Sequence, residues 1–153
     1  MLTAGTKAPA FALEDLSGRR IALSEILTQG PALLAVYKIG CPVCQLTLPF
    51  LERIANGSLQ VIGISQDDAR GTGRFQQTYR LTMPTLLDLE DAKYPVSNAF
   101  GITQVPSLFL VEPDGVISLA SNGFSKRDLE AIGKRAGVEI FRPDEKVPDW
   151  KAG

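Results

Sequence analysis

Two cysteines, Cys41 and Cys44, stand two residues apart in VYKIGCPVCQLTLPF (residues 36–50), and the chain has no others. Such a pair can be a redox-active dithiol, half of a metal site or a structural bridge. The chain of 153 residues contains no histidine. That excludes Cys–His and Ser–His nucleophilic catalysis, histidine-ligated metals and histidine pH switching. Two cysteines alone do not complete a four-ligand zinc site. A further reading, in which both are small buried hydrophobes, needs nothing of their position.

Their position is informative. ALLAVYKI (32–39) is a nearly unbroken apolar run, as in a strand buried on both faces of a parallel sheet. From Pro42 the pattern turns helical, with Val43, Leu46, Phe50, Leu51 and Ile54 on one side and Asn56-Gly57 as the stop. Pro49 lies inside this helix and should kink it. Cys41 thus sits where a strand gives way to a helix. Unpaired N–H groups and the helix dipole favour an anion there, which activates a cysteine by lowering its pKa. Pro42 suits the first helical turn. Cys44 follows one turn later on the same face, within disulfide reach. Such a dithiol attacks with one sulfur and resolves with the other. Mild alkylation of the reduced protein near neutral pH should therefore label Cys41 before Cys44.

The surrounding elements are those of a compact α/β domain. Residues 10–13 and 20–23 alternate around Asp15-Leu16-Ser17-Gly18, which predicts an N-terminal hairpin. Ser24 is the expected cap of a short helix to about Leu27, ended by Gly30-Pro31. LQVIGIS (59–65) predicts a second buried strand, and weaker helices follow over Thr72–Arg80 and Ala92–Phe100, the latter disturbed by Pro95. SLFLVE (107–112) and GVISLA (115–120) flank Pro113-Asp114-Gly115, an antiparallel hairpin. Ser125 caps a last helix to about Arg135, with Gly137 near its end. Residues 138–153 read as an extended tail carrying the sole tryptophan, Trp150.

The net charge of −1 argues against nucleic acid and anionic membranes as partners. The N-terminus lacks a charged segment followed by an apolar one, and no window approaches a membrane span. The expectation is a cytoplasmic protein, although a trimmed leader would leave the same residues. There a Cys-x-x-Cys more often reacts or binds metal than forms a lasting bridge. RGTGR (70–74) reads as a helix-entry loop rather than a phosphate nest. Asp67-Asp68 and DLED (88–91) read as loop ends and helix caps rather than metal ligands.

Over about residues 4–135 the sequence resembles the thioredoxin superfamily, in the redoxin branch of AhpC/TSA and thioredoxin-like thiol oxidoreductases. The likeness rests on AGTKAPAFALEDLSGRRIALSEI, on YKIGCPVC with Pro49 five residues on, and on GITQVPSLFLVEPDGVI, in that order. It implies a thioredoxin-like fold, a central mixed sheet flanked by helices with an N-terminal β-hairpin extension; the length of 153 residues is that of one domain spanning 1–153. The likeness also implies a cis bond at Val105–Pro106 facing the cysteines, with residues 104–106 against the Cys41 sulfur. The Val105 backbone would then pair with extended substrates, and Pro42, Val43 and Phe124 would rim the sulfur. Its relatives often have tryptophan before the first cysteine and an acidic proton acceptor near the second; here Gly40, Ala35 and Thr47 hold those positions. Lys38 reads as a solvated lysine, with a cation near the thiolate as the alternative.

The function implied is thiol–disulfide exchange, with Cys41 attacking and Cys44 resolving. Its partners are protein or small-molecule disulfides and thiols, with thioredoxin or glutathione as reductant and no cofactor or metal. A peroxiredoxin-like peroxidase is the runner-up. It needs Pro-x-x-x-Thr-x-x-Cys, yet matching its cysteine to Cys44 puts Cys41 at the threonine and Tyr37 at the proline. A Cu(I) carrier or a redox-gated interaction module is the binding alternative. Copper proteins on this fold add a histidine, and here Met83 is the only internal methionine.

Overall fold

A computed structural model describes residues 1–153. The elements run β1 (Ala12–Glu14), β2 (Arg20–Ala22), α1 (Leu23–Leu27), β3 (Ala32–Tyr37), α2 (Pro42–Ile54), β4 (Gln60–Ser65) and α3 (Ala69–Tyr79). They continue with β5 (Thr85–Leu87), α4 (Pro95–Ala99), β6 (Ser107–Val111), β7 (Ile117–Asn122), β8 (Phe124–Ser125), α5 (Lys126–Ala136) and β9 (Trp150–Lys151).

β1 and β2 form the expected hairpin, with Asp15 Oδ1 accepting from Ser17 N–H at 2.9 Å and Arg19 N–H at 3.0 Å across its turn. The central sheet has the order β5-β4-β3-β6-β7. β3 pairs parallel with β4 and antiparallel with β6, so the sheet is mixed. β3 is buried throughout, and its alternate residues serve two cores. Leu33, Ala35 and Tyr37 pack with Cys44, Leu48, Leu51 and Leu129, whereas Ala32, Leu34 and Val36 pack with Leu23, Ile26, Phe100 and Phe109. The period-two alternation of a strand, apolar on both faces, is what sandwiches it between helices.

Several boundaries differ from the sequence reading. α1 starts at Leu23 with Ala22 as its cap, because burying Leu23 brings the turn forward; Glu25 accepts from Ala22 N–H at 3.3 Å and Ser24 stays exposed. α3 begins three residues before Thr72, so RGTGR forms its opening turns and is not a loop. Asp68 caps it by accepting from Gly71 N–H at 2.8 Å, while Thr72 and Phe75 go into the core. Pro95 is the first residue of α4 rather than a disturbance within it. β5 has no counterpart in the sequence reading. The tail does not trail free of the fold, since Trp150–Lys151 pairs antiparallel with Phe124–Ser125.

Candidate active site

The dithiol is built at the junction of β3 and α2. Cys41 is the N-cap of α2, and its Sγ accepts from Cys44 N–H at 3.3 Å. This is the hydrogen bond that serine or aspartate supplies at other helix starts, here made by sulfur. Pro42 occupies the first helical position, and α2 continues through Pro49 to Ile54. Its buried stripe is Cys44, Thr47, Leu48, Leu51 and Ile54; Val43, Leu46 and Phe50 are only half-buried. The helix is thus rotated from the face read in the sequence, and that rotation takes Cys44 inward. Cys41 is half-buried, Cys44 has no exposed surface, and both are free thiols.

The remaining neighbours come from distant parts of the chain. Val105 carbonyl oxygen accepts from the Cys41 thiol at 3.5 Å, and the Val105–Pro106 bond is cis. The segment leading to Cys41 is held at Ile39 on both of its backbone groups. Ile39 N–H donates to Asp67 Oδ2 at 2.8 Å, and Gln45 Nε2 donates to Ile39 oxygen at 3.0 Å. Lys38 is exposed, and its carbonyl accepts from Cys41 N–H at 3.3 Å. Burial pushes the Cys44 thiol well above its ordinary range, with the Cys41 sulfur and the Asp67 charge adding to the effect. A half-buried sulfur therefore precedes a fully buried, proton-retaining one, which is the order that attack followed by resolution requires.

The AhpC/TSA family model matches residues 4–120, about three quarters of the sequence, and includes the whole of this site. The chain belongs to the AhpC/TSA family. Within this AhpC/TSA chain the most similar curated relatives include thiol-disulfide oxidoreductase ResA of Bacillus subtilis, 24% identical over 76% of the chain and 65% of the relative. Thiol:disulfide interchange protein DsbE of Vibrio cholerae is 30% identical over 74% of the chain and 61% of its own length. The chain therefore spans less than two thirds of either relative. Among solved structures, the thioredoxin domain of a thiol-disulfide oxidoreductase from Bacteroides vulgatus superposes with a TM-score of 0.77 at 22% identity, covering 89% of this chain and 99% of that one. The fold is thioredoxin-like.

Of the residues singled out from the sequence, the AhpC/TSA site brings Cys41, Pro42, Val43, Cys44 and Val105 together, and Pro106, which follows Val105, is buried. Phe124 is not on the rim. It is fully buried against Phe50 and Phe141, with ring centroids 6.0 and 6.1 Å away. Ala35 and Thr47 are both buried, and the Thr47 hydroxyl is committed to Val43 oxygen at 2.7 Å. Sequence reasoning missed the hold on Ile39. Asp67 reaches it across 28 positions, for which the local pattern carries no signal, and Gln45 was unremarkable on α2. Asp88 of DLED caps the start of α4, accepting from Val96 N–H at 2.9 Å and Ser97 N–H at 2.8 Å.

The buried thiol has a consequence for alkaline stability. Folded Cys44 keeps its proton at a pH where the unfolded thiol, with an ordinary value of 9.0, has lost it. The unfolded state then binds fewer protons, so stability falls as pH rises. From about pH 9 upward, the reduced protein should lose up to about 1.4 kcal/mol per pH unit from this group. Tyr37, raised by burial to about 12, adds a loss of the same sign above its ordinary 10.0. Cys44→Ala should remove the first component and keep the second. Chemical denaturation at pH 8.5 to 10 checks this, and identical slopes in the two proteins would contradict it.

Proposed function

We propose that this chain is a thiol–disulfide oxidoreductase in which Cys41 is the attacking and Cys44 the resolving thiol. The observation that carries the reading is the pairing of a half-exposed Cys41 at the start of α2 with a buried Cys44 whose N–H contacts the Cys41 sulfur. In the first step Cys41 thiolate attacks a substrate disulfide, forming a mixed disulfide and expelling one substrate thiolate. Cys44 then gives up its proton and attacks the Cys41 sulfur. The second substrate thiol leaves, and the Cys41–Cys44 disulfide remains. The substrate gains two electrons and the protein loses them; run backwards, the same steps oxidise a dithiol.

Protein or small-molecule disulfides are the proposed substrates, with thioredoxin or glutathione to restore the dithiol. Pro42 is exposed and Val43 and Val105 half-exposed around Cys41, a shallow surface suited to varied partners. A cytoplasmic place for this chemistry is likewise proposed, tested by fractionating cells that express the protein.

Peroxide turnover is the competing chemistry, and Cys41 and Tyr37 occupy the positions where it needs threonine and proline. Tyr37 is buried, packed on Phe75 with ring centroids 5.4 Å apart, so it lines no open pocket. Reduction of a disulfide substrate should therefore outpace consumption of hydrogen peroxide under one reductant. Rapid peroxide consumption that is lost in Cys44→Ser would overturn the proposal.

A further inference from the structure

The C-terminal tail reaches the dithiol site, and its two halves are attached in different ways. Residues 138–147 form an anchor. Ile140 is 2% exposed, and the Phe141 ring lies 5.0 Å from that of Phe50. Arg53 donates to both Glu145 carboxylate oxygens at 2.7 and 2.9 Å, and also to Ile140 oxygen at 2.8 Å. After Pro148 the side chains turn out to solvent. Residues 149–153 are all exposed, Trp150 by 58%. This last stretch is held through main chain, by the short β8–β9 ladder and by Lys126 N–H donating to Asp149 oxygen at 2.9 Å.

Its path is set by two glycines. The Lys151 carbonyl lies over Gly123, and Gly153 lies against the carbonyl of Val105; a Cβ added at either glycine would collide with the oxygen it faces. The Val105 oxygen is also the acceptor 3.5 Å from the Cys41 sulfur. One carbonyl oxygen thus accepts from the thiol and lies against Gly153, two residues beyond β9. A pocket of about 330 Å³ opens there between Lys38, Gln66, residues 102–105 and Gly153.

We propose that residues 149–153 occupy the seat of an extended polypeptide substrate, as a stand-in that a partner must lift away to pair with this edge and reach Cys41. The inference rests on the thiol–disulfide reading above and adds a competitor carried on the same chain, whose Gly153 lies over the Val105 carbonyl. Strand addition of this kind draws affinity from main-chain hydrogen bonds, and so tolerates varied side chains. The stretch suits displacement because it buries little apolar surface of its own, while the anchor before Pro148 keeps it close at hand. A seated tail lowers apparent affinity for a polypeptide in proportion to the fraction of molecules left open. A small disulfide needs only the accessible part of Cys41 and no main-chain pairing, so it bypasses this competition.

The test compares the chain ending at Pro148 with the full chain, using insulin as the polypeptide disulfide and 5,5′-dithiobis(2-nitrobenzoic acid) as the small one. If the tail is seated in about nine molecules of ten, the shortened chain should reduce insulin about tenfold faster at limiting substrate, with the small disulfide unaffected. A full-length Gly153→Val chain, whose Cβ meets the Val105 carbonyl, should shift the insulin rate in the same direction and decides the matter if the shortened chain does not fold. Unchanged or slower insulin reduction in these proteins would overturn the inference, as would equal acceleration of both substrates. Absence of exchange with either substrate in every protein, the full chain included, would instead remove the dithiol reading and the inference with it.

Discussion

Replacing Cys41 with serine lowers disulfide exchange by at least about a thousandfold, to the uncatalysed background. The thiolate is the species that attacks a disulfide, and a serine hydroxyl at neutral pH does not take its place. The loss is chemical and not structural. Serine is a preferred N-cap, so its oxygen can take over the hydrogen bond that the Cys41 sulfur now receives from Cys44 N–H. Far-UV circular dichroism and the unfolding midpoint of Cys41→Ser should accordingly stay close to those of the parent protein. Cys44→Ser behaves differently. Cys41 still attacks, but nothing releases the partner, so mixed disulfides accumulate and are visible on non-reducing gels. Equal exchange by Cys41→Ser and the parent would remove Cys41 from the chemistry.

The second large effect lies away from the sulfurs. Asp88 has no exposed surface, and its carboxylate accepts three hydrogen bonds, from Val96 N–H, Ser97 N–H and the Ser97 hydroxyl at 2.6 Å. It ties the end of β5 to the first turn of α4, and α4 in turn supplies Val96 to the second core. Asp88→Ala leaves those N–H groups buried without a partner. The expected cost is about 3 kcal/mol, read as a lowered midpoint in urea unfolding. Asp88→Asn keeps one acceptor oxygen and should lose less. A loss below about 1 kcal/mol in Asp88→Ala would mean that water replaces the carboxylate.

Much of this architecture was legible because its signals are local. The unbroken apolar run of β3, the proline after Cys41 and the Pro113-Asp114-Gly115 turn each specify an element from a few adjacent residues. The junction that places Cys41 at a helix start follows from those alone. What was not legible depends on distant partners. β5 is three residues long and follows Pro84, too short to display alternation, and becomes a strand only by pairing with β4. The start of α3 looked like a loop because Gly71 and Gly73 are poor helix formers, yet the Asp68 cap and the burial of Thr72 and Phe75 prevail. The hold of Asp67 on Ile39 and the return of Trp150–Lys151 to β8 span long stretches of chain. No residue type announces either contact. The face of α2 was misjudged by part of a turn, since Phe50 and Leu46 are apolar but cover the rim of the core and not its centre.

All of these elements converge on one claim, that Cys41 and Cys44 interchange reversibly between dithiol and disulfide. Equilibration in glutathione buffers of graded ratio, followed by acid quenching and mass spectrometry of the peptides, tests it most directly. A linked Cys41–Cys44 peptide should appear in a single two-electron transition, with a midpoint between about −270 and about −120 mV. Two cysteines that stay reduced, or are only singly glutathionylated, across the whole series would contradict it.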